Sequence, residues 1–255
     1  MLEYIWLVPL GFAAGILGSM IGLGGGFVVV PALTFAGFSP TLAASDSLFA
    51  AFCNAVASTV SYARQKRIVY SLGIKLALLS IPGTVLGAYI SDDISAPTFK
   101  LLFGIVLIAS SVYIYSRRKM EPKEYNLSKQ IMMLAIGSSF FAGIISSLFG
   151  IGGGTVFVPL MVVAIGLSMK LAAPTSQFIL MFAAASGMIV HSLLGHPDYM
   201  QAGLLSVGAF AGGIVGSRLS LKVDEKKLKI FVTIVLAVTS IKLFMDAFSA
   251  PVKIP

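Results

Sequence analysis

Apolar residues fill this chain in long blocks separated by short polar gaps. Six blocks reach bilayer-crossing length, about 20 residues for a helix: Thr41 to Ala63, Ser71 to Ser91, Pro97 to Ser116, Leu127 to Gly150, Leu171 to Leu193 and Lys229 to Ala247. The longest polar gap, "RRKMEPKEYN" from Arg117 to Asn126, leaves no room for a soluble domain. The pattern predicts an all-α integral membrane protein. Composition agrees, with 57% hydrophobic and 11% charged residues, against about 25% charged in soluble domains.

The blocks repeat. At an offset of 128, "GILGSMIGLGGGFVVVPAL" from Gly15 meets "GIISSLFGIGGGTVFVPLM" from Gly143, and ten of the nineteen pairs are identical. One inserted residue later, an offset of 129 aligns "SDSLF" from Ser45 with "PTSQF" from Pro174, Tyr70 with Tyr199, and Gly83 and Gly87 with Gly212 and Gly216. Residues 1–120 and 121–255 therefore read as two transmembrane repeats. Each holds a glycine-interrupted first element followed by three helices.

The net charge of +8 raises nucleic acid as a partner, but its placement argues against it. Lys and Arg gather in short loops, where membrane orientation puts them. The first repeat has "RQKR" from Arg64 between helices 2 and 3, and no basic residue in "DDISA" from Asp92. The second repeat exchanges these: "GHPD" from Gly195 has none, while Arg218, Lys222, Lys226, Lys227 and Lys229 follow helix 3. Matching loops thus fall on opposite sides, as in inverted repeats. Inversion needs an odd number of crossings per repeat, so the first element should be a hairpin rather than one broken helix. Both termini are then external, in a multi-pass protein of the cell membrane. "MLEYIWLVPLGF" lacks a basic leader, so no cleaved signal peptide is expected. The single Cys53 cannot form an internal disulfide.

Four glycines in five positions, Gly22 to Gly26 and again Gly150 to Gly154, mark the turn of each hairpin. Irregular backbone at membrane depth survives only where protein buries it or a polar cavity borders it. Short helices are predicted from Phe27 and Thr155, and unpaired N–H groups and the helix dipole favour an anion at such starts. Gly24, Gly25 and Gly26 with Phe27, and Gly152, Gly153 and Gly154 with Thr155, are the candidate donors. The bland alternative is close helix packing, which also suits "GTVLG" at Gly83 and "GGIVG" at Gly212. Neither a dinucleotide fingerprint nor a phosphate loop is complete here.

Polar residues inside the apolar blocks supply further candidates. Ser47, Ala51, Asn54, Ser58 and Ser61 share one helix face, matched by Ser176, Leu180, Ala183, Gly187 and Val190. Such a face serves equally as a packing seam. Asp46 is a carboxylate inside a spanning block, a placement that marks ion or proton pathways; the alternative is a helix cap. His191 and His196 read as wetted side chains near an interface. They form no metal constellation, and no catalytic triad or carboxylate pair suggests an enzyme.

"GLGGGFVVVPAL" and "GIGGGTVFVPLM", each followed by a small-residue helix start, resemble the TauE/SafE family of sulfite and organosulfur-anion exporters. "APTSQF" from Ala173 looks like that family's Thr-Ser element. The resemblance covers essentially the whole chain. It implies a carrier of small sulfur-containing anions, without a cofactor, driven by an ion gradient with H⁺ the expected coupling ion. Ser45, Ser47 and Asn54 in the first repeat, and Thr175, Ser176 and Gln177 in the second, would join the glycine clusters around the anion. Asp46 departs from the threonine expected at its place. A non-transport membrane scaffold is the alternative, but the short loops offer no docking surface.

Overall fold

The apolar blocks become helices. A computed structural model of the chain describes residues 4–116 and 129–249. Its helices are α1 (Leu7–Ile21), α2 (Gly26–Phe35), α3 (Pro40–Arg64), α4 (Tyr70–Asp93), α5 (Ala96–Ser116), α6 (Lys129–Phe149), α7 (Gly154–Pro159), α8 (Met169–Leu193), α9 (Tyr199–Leu219) and α10 (Glu225–Ser249). No strand occurs among the described residues. The linker from Arg117 to Asn126 and the expected boundary between the repeats lie outside them.

Five helices, α4, α5, α6, α8 and α9, are long and apolar enough to cross a membrane. Helix α3 is as long as α8, at 25 residues. Its buried Ser45, Asp46, Ser47, Asn54 and Ser58 lower its hydropathy. The exterior is apolar: Leu78 and Leu86 on α4, Val207 and Phe210 on α9, and Val238 and Met245 on α10 are all exposed. An apolar outside around a core with buried polar groups is how a helix bundle meets lipid. The protein is an all-α, multi-pass membrane protein.

At the centre α3 packs on α8. Helix α9 flanks α3 and α1 lies against α9; equivalently, α4 flanks α8 and α6 lies against α4. Helices α5 and α10 pair on the flank, where Phe103 stacks on Phe149 at 5.2 Å. The α1–α9 and α4–α6 seams are close because glycines line them. A Cβ on Gly208 or Gly212 would strike the carbonyls of Val8 and Phe12, and one on Gly83 or Gly87 those of Phe140 and Ile144. Packing is therefore what "GTVLG" and "GGIVG" do.

Hydrogen bonds fix the relative directions of the four central helices. At one end Arg67 Nε donates to the Lys170 carbonyl (2.9 Å) and Gln65 Nε2 to the Ser217 carbonyl (3.3 Å). At the other, Thr41 Oγ1 donates to the Ser91 carbonyl (3.3 Å) and His196 Nε2 meets Asp92 Oδ1 at 2.7 Å. Helices α3 and α9 accordingly run from the Asp92 end to the Arg67 end. Helices α4 and α8 run the other way.

Candidate functional site

Each first element turns back at its glycines. The N–H groups of Gly22, Leu23 and Gly24 all converge on the Gly18 carbonyl, at 2.9, 2.9 and 3.4 Å. Gly22, Gly24 and Gly25 have φ of 83°, 83° and 95°, and Gly150, Gly152 and Gly153 have 66°, 74° and 76°. These are left-handed angles that other residues adopt only with strain. The turn brings Gly25 back onto α1, where a Cβ would sit 2.8 Å from the Ala14 carbonyl oxygen. In a continuing helix those residues would be about 16 Å apart. Helices α2 and α7 begin at Gly26 and Gly154, one residue earlier than predicted.

The two clusters then meet in the middle of the bundle. Gly26 lies on the Gly150 carbonyl, and Gly154 on the Gly22 carbonyl. Leu180 of α8 covers both: its Cδ1 is 3.3 Å from where a Gly24 Cβ would be, and its Cδ2 is 2.8 Å from that of Gly152. Two serines clamp the crossing from matching positions. Ser47 Oγ donates to the Gly150 carbonyl (2.8 Å) and Ser176 Oγ to the Gly22 carbonyl (2.7 Å). Asn54 Nδ2 holds the Gly24 carbonyl (3.1 Å), and Gln177 Nε2 holds the Gly18 carbonyl (2.7 Å). The predicted glycines, Ser47, Asn54, Ser176 and Gln177 thus form one buried constellation.

Around it are polar groups without protein partners. The N–H groups of Gly25, Gly26 and Phe27, and of Gly153, Gly154 and Thr155, find no acceptor among the described residues. Beside the second cluster the buried hydroxyls of Ser146, Ser147 and Thr155 are also unpartnered. Thr155 was foreseen; Ser146 and Ser147 were not.

Ser45 and Thr175 make no hydrogen bond to the crossing. Ser45 Oγ bonds back to its own helix at Leu42 (2.9 Å), and Thr175 Oγ1 to Leu171 (2.7 Å). Asp46 is fully buried, and it is no cap of its own helix, whose N-cap is Ser39. Its Oδ1 accepts the Asp198 N–H ahead of α9 (3.0 Å), just as Thr175 Oγ1 accepts the Val69 N–H ahead of α4 (3.0 Å). Asp46 Oδ2 is unpartnered.

The histidines correct the expectation of wetted side chains. His191 is 0% exposed, with Nε2 at 3.2 Å from the Ser147 carbonyl and Nδ1 at 2.8 Å from Nδ1 of His196. The loop at 194–198 folds over it. At the opposite end a cleft of about 370 Å³ opens between α3 and α9, with Arg64, Gln65 and Arg218 in its lining. Its inner residues, Val56 and Ala57, lie within about one helical turn of Asn54.

A lipid-facing helix bundle organised around two glycine-broken hairpins defines a membrane transporter architecture. The family model described as "Sulfite exporter TauE/SafE" matches residues 7–243, and the chain belongs to that family. It is 31% identical to the probable membrane transporter protein YunE of Bacillus subtilis, over 96% of this chain and 98% of that one. It is 29% identical to the probable membrane transporter protein MJ0441 of Methanocaldococcus jannaschii, over 92% of this chain and 95% of the relative. Identity to YfcA of Escherichia coli K12, likewise a probable membrane transporter protein, is 24% over 92% and 87%. No solved structure matches the chain.

Proposed function

We propose that this membrane transporter carries small sulfur-containing anions such as sulfite or sulfonates, as a secondary exporter working by alternating access around the glycine crossing. The observation that carries the reading is the set of buried, unpaired donors there: six main-chain N–H groups and three hydroxyls. An orphaned buried donor costs about 1–3 kcal/mol, and an oxyanion bound among several would offset that cost. The nearby carbonyls of Gly22 and Gly150 would repel an anion, but Ser176 and Ser47 occupy them with O–H donors. Arg64 and Arg218 give the cleft a positive mouth, which draws anions toward Asn54.

In this reading the halves, 1–120 and 121–255, are inverted repeats in the cell membrane with external termini. The exchanged loop charges support it, as do the opposite directions of α3 and α8. Asp46 carries the coupling proton: one residue from Ser47, it repels cargo when charged and tolerates it when protonated. The test is flux in proteoliposomes, offering sulfite, taurine, sulfate and acetate under an imposed pH gradient. Sulfite or taurine should move faster than acetate, and the gradient should drive it. Correctly inserted protein that moves no sulfur anion sinks the proposal.

A further inference from the structure

At the Asp92 end, four groups stand in line: the Ser147 carbonyl, His191, His196 and the Asp92 carboxylate. Their spacings are 3.2, 2.8 and 2.7 Å, and each contact needs a hydrogen. The carbonyl can only accept, so His191 Nε2 carries one hydrogen. The Nδ1-to-Nδ1 contact needs a second, and the contact to Asp92 Oδ1 needs a third. Two neutral imidazoles own two N–H groups between them. The line therefore holds one proton more than two neutral rings and an ionised carboxylate would.

The same positions in the first repeat carry a different pair. At the offset of 129, His191 matches Tyr62 and His196 matches Arg67. Tyr62 Oη donates to the Ser19 carbonyl at 2.8 Å, and Ser19 is the partner of Ser147 at the offset of 128. Arg67 lies over the Tyr62 ring at 5.3 Å and holds Ser220 Oγ at 3.0 Å. Both pairs tie the far end of a central helix, α3 or α8, to the hairpin packed beside it. A phenol and a guanidinium keep their protons throughout the physiological range, whereas imidazoles exchange theirs within it.

We propose that His191 and His196 bind one shared proton, and that this proton latches the 194–198 loop over the second hairpin. Loss of the proton leaves two lone pairs facing each other at one of the three contacts, and that contact opens. The charged groups tied to the pair or its loop are Asp92 from α4, which meets His196, Asp198 within the loop, and Asp46 from α3, which holds the Asp198 N–H. From α6 the pair meets the Ser147 main chain. Asp92 is 46% exposed and His196 10%, so solvent protons reach the line at Asp92. They pass inward from His196 Nε2 by transfer of the Nδ1 proton to His191. The proton site stands on geometry alone; its role in coupling rests on the transporter reading.

These are the chain's two histidines, so ¹⁵N-histidine labelling of the full chain in lipid nanodiscs gives two ring spin systems. At pH 7 the rings should carry three N–H protons with a scalar coupling between the two Nδ1 atoms, and Asp92→Asn should leave two. Two N–H protons in the unmodified protein, or a count that Asp92→Asn does not change, overturns the proposal. A second arm installs the opposite pair, His191→Tyr with His196→Arg. In sulfite-loaded proteoliposomes the ratio of flux with and without a pH gradient should fall to unity. A ratio equal to the unmodified protein's overturns the coupling role. If the unmodified protein moves no sulfite, the transport reading falls while the N–H count still decides the proton site.

Discussion

The two hairpins share a backbone and differ in chemistry. In the first, α2 runs ten residues through Pro31, and the side-chain hydroxyls are bonded: Ser19 Oγ to the Ile16 carbonyl and Thr34 Oγ1 to that of Val30. In the second, α7 lasts six residues and passes at Pro159 into a π turn, Leu160–Ala164. Where the first has Gly18 and Phe27, the second has Ser146 and Thr155, whose hydroxyls are buried without partners. A π turn re-routes main-chain hydrogen bonds and is found at functional sites. The duplicated backbone supplies the crossing, and the second copy alone surrounds it with unpartnered hydroxyls, the side chains that the proposed anion would engage.

The largest expected effect tests what the copies share. Gly25→Val puts a branched side chain at φ 95° against the Ala14 carbonyl. It should abolish sulfite flux and lower the melting temperature by several degrees. Wild-type flux in that variant would mean that the crossing tolerates bulk and binds nothing. Next comes the difference between them. Thr155→Val keeps the shape and removes one orphan hydroxyl, and should weaken sulfite binding about 10–100-fold, the range for a hydrogen bond to a charged group. Thr34→Val, on the hairpin whose hydroxyl is already bonded, should leave affinity unchanged. Equal losses in both would erase the asymmetry.

Asp46→Asn should bind sulfite at least as tightly as the unmodified protein and lose the dependence of net flux on the pH gradient. Full gradient-driven flux would reduce Asp46 to a bond for the Asp198 N–H. The smallest effect lies away from both hairpins, in the loop before α10. The Lys226 and Lys227 N–H groups hold the exposed Asp224 carboxyl below its ordinary value. A depressed folded-state value means the stabilisation is present above the unfolded aspartate value, about pH 4, and is lost as pH falls below it. Asp224→Asn should therefore lower the melting temperature slightly at pH 7, and the gap should close toward pH 3.

The crossing was legible because it is built from backbone and from residues repeated at fixed offsets. Ser47 and Ser176 share a register, and they make the same bond in both halves. The orphan hydroxyls were not legible. A serine in an apolar helix usually bonds back to its own carbonyls, as Ser45 does, and nothing in "IISSLFG" says that Ser146 and Ser147 would not. His191 was misread because its place in the last turn of a helix says nothing of what covers it. Its repeat counterpart at the offset of 129, Tyr62, is fully buried as well, which only the structure shows. Leu180 fell on the polar face and turned out to be the apolar lid over both glycine clusters.

The glycine seams also set the order of assembly. Helix α1 is seated on Gly208 and Gly212 of α9, two hundred residues further along the chain. At about 5–20 residues per second, α1 waits roughly 10–40 s in the bilayer before its partner exists. Helices α4 and α6 meet much sooner, so the glycine seam behind the second hairpin can close while α1 still lacks its own. Closure of the α1–α9 seam must therefore wait for the last part of the chain to be made. Truncation anywhere before α9 would leave α1 and its glycine turn without a seat, for the quality-control proteases of the membrane to find.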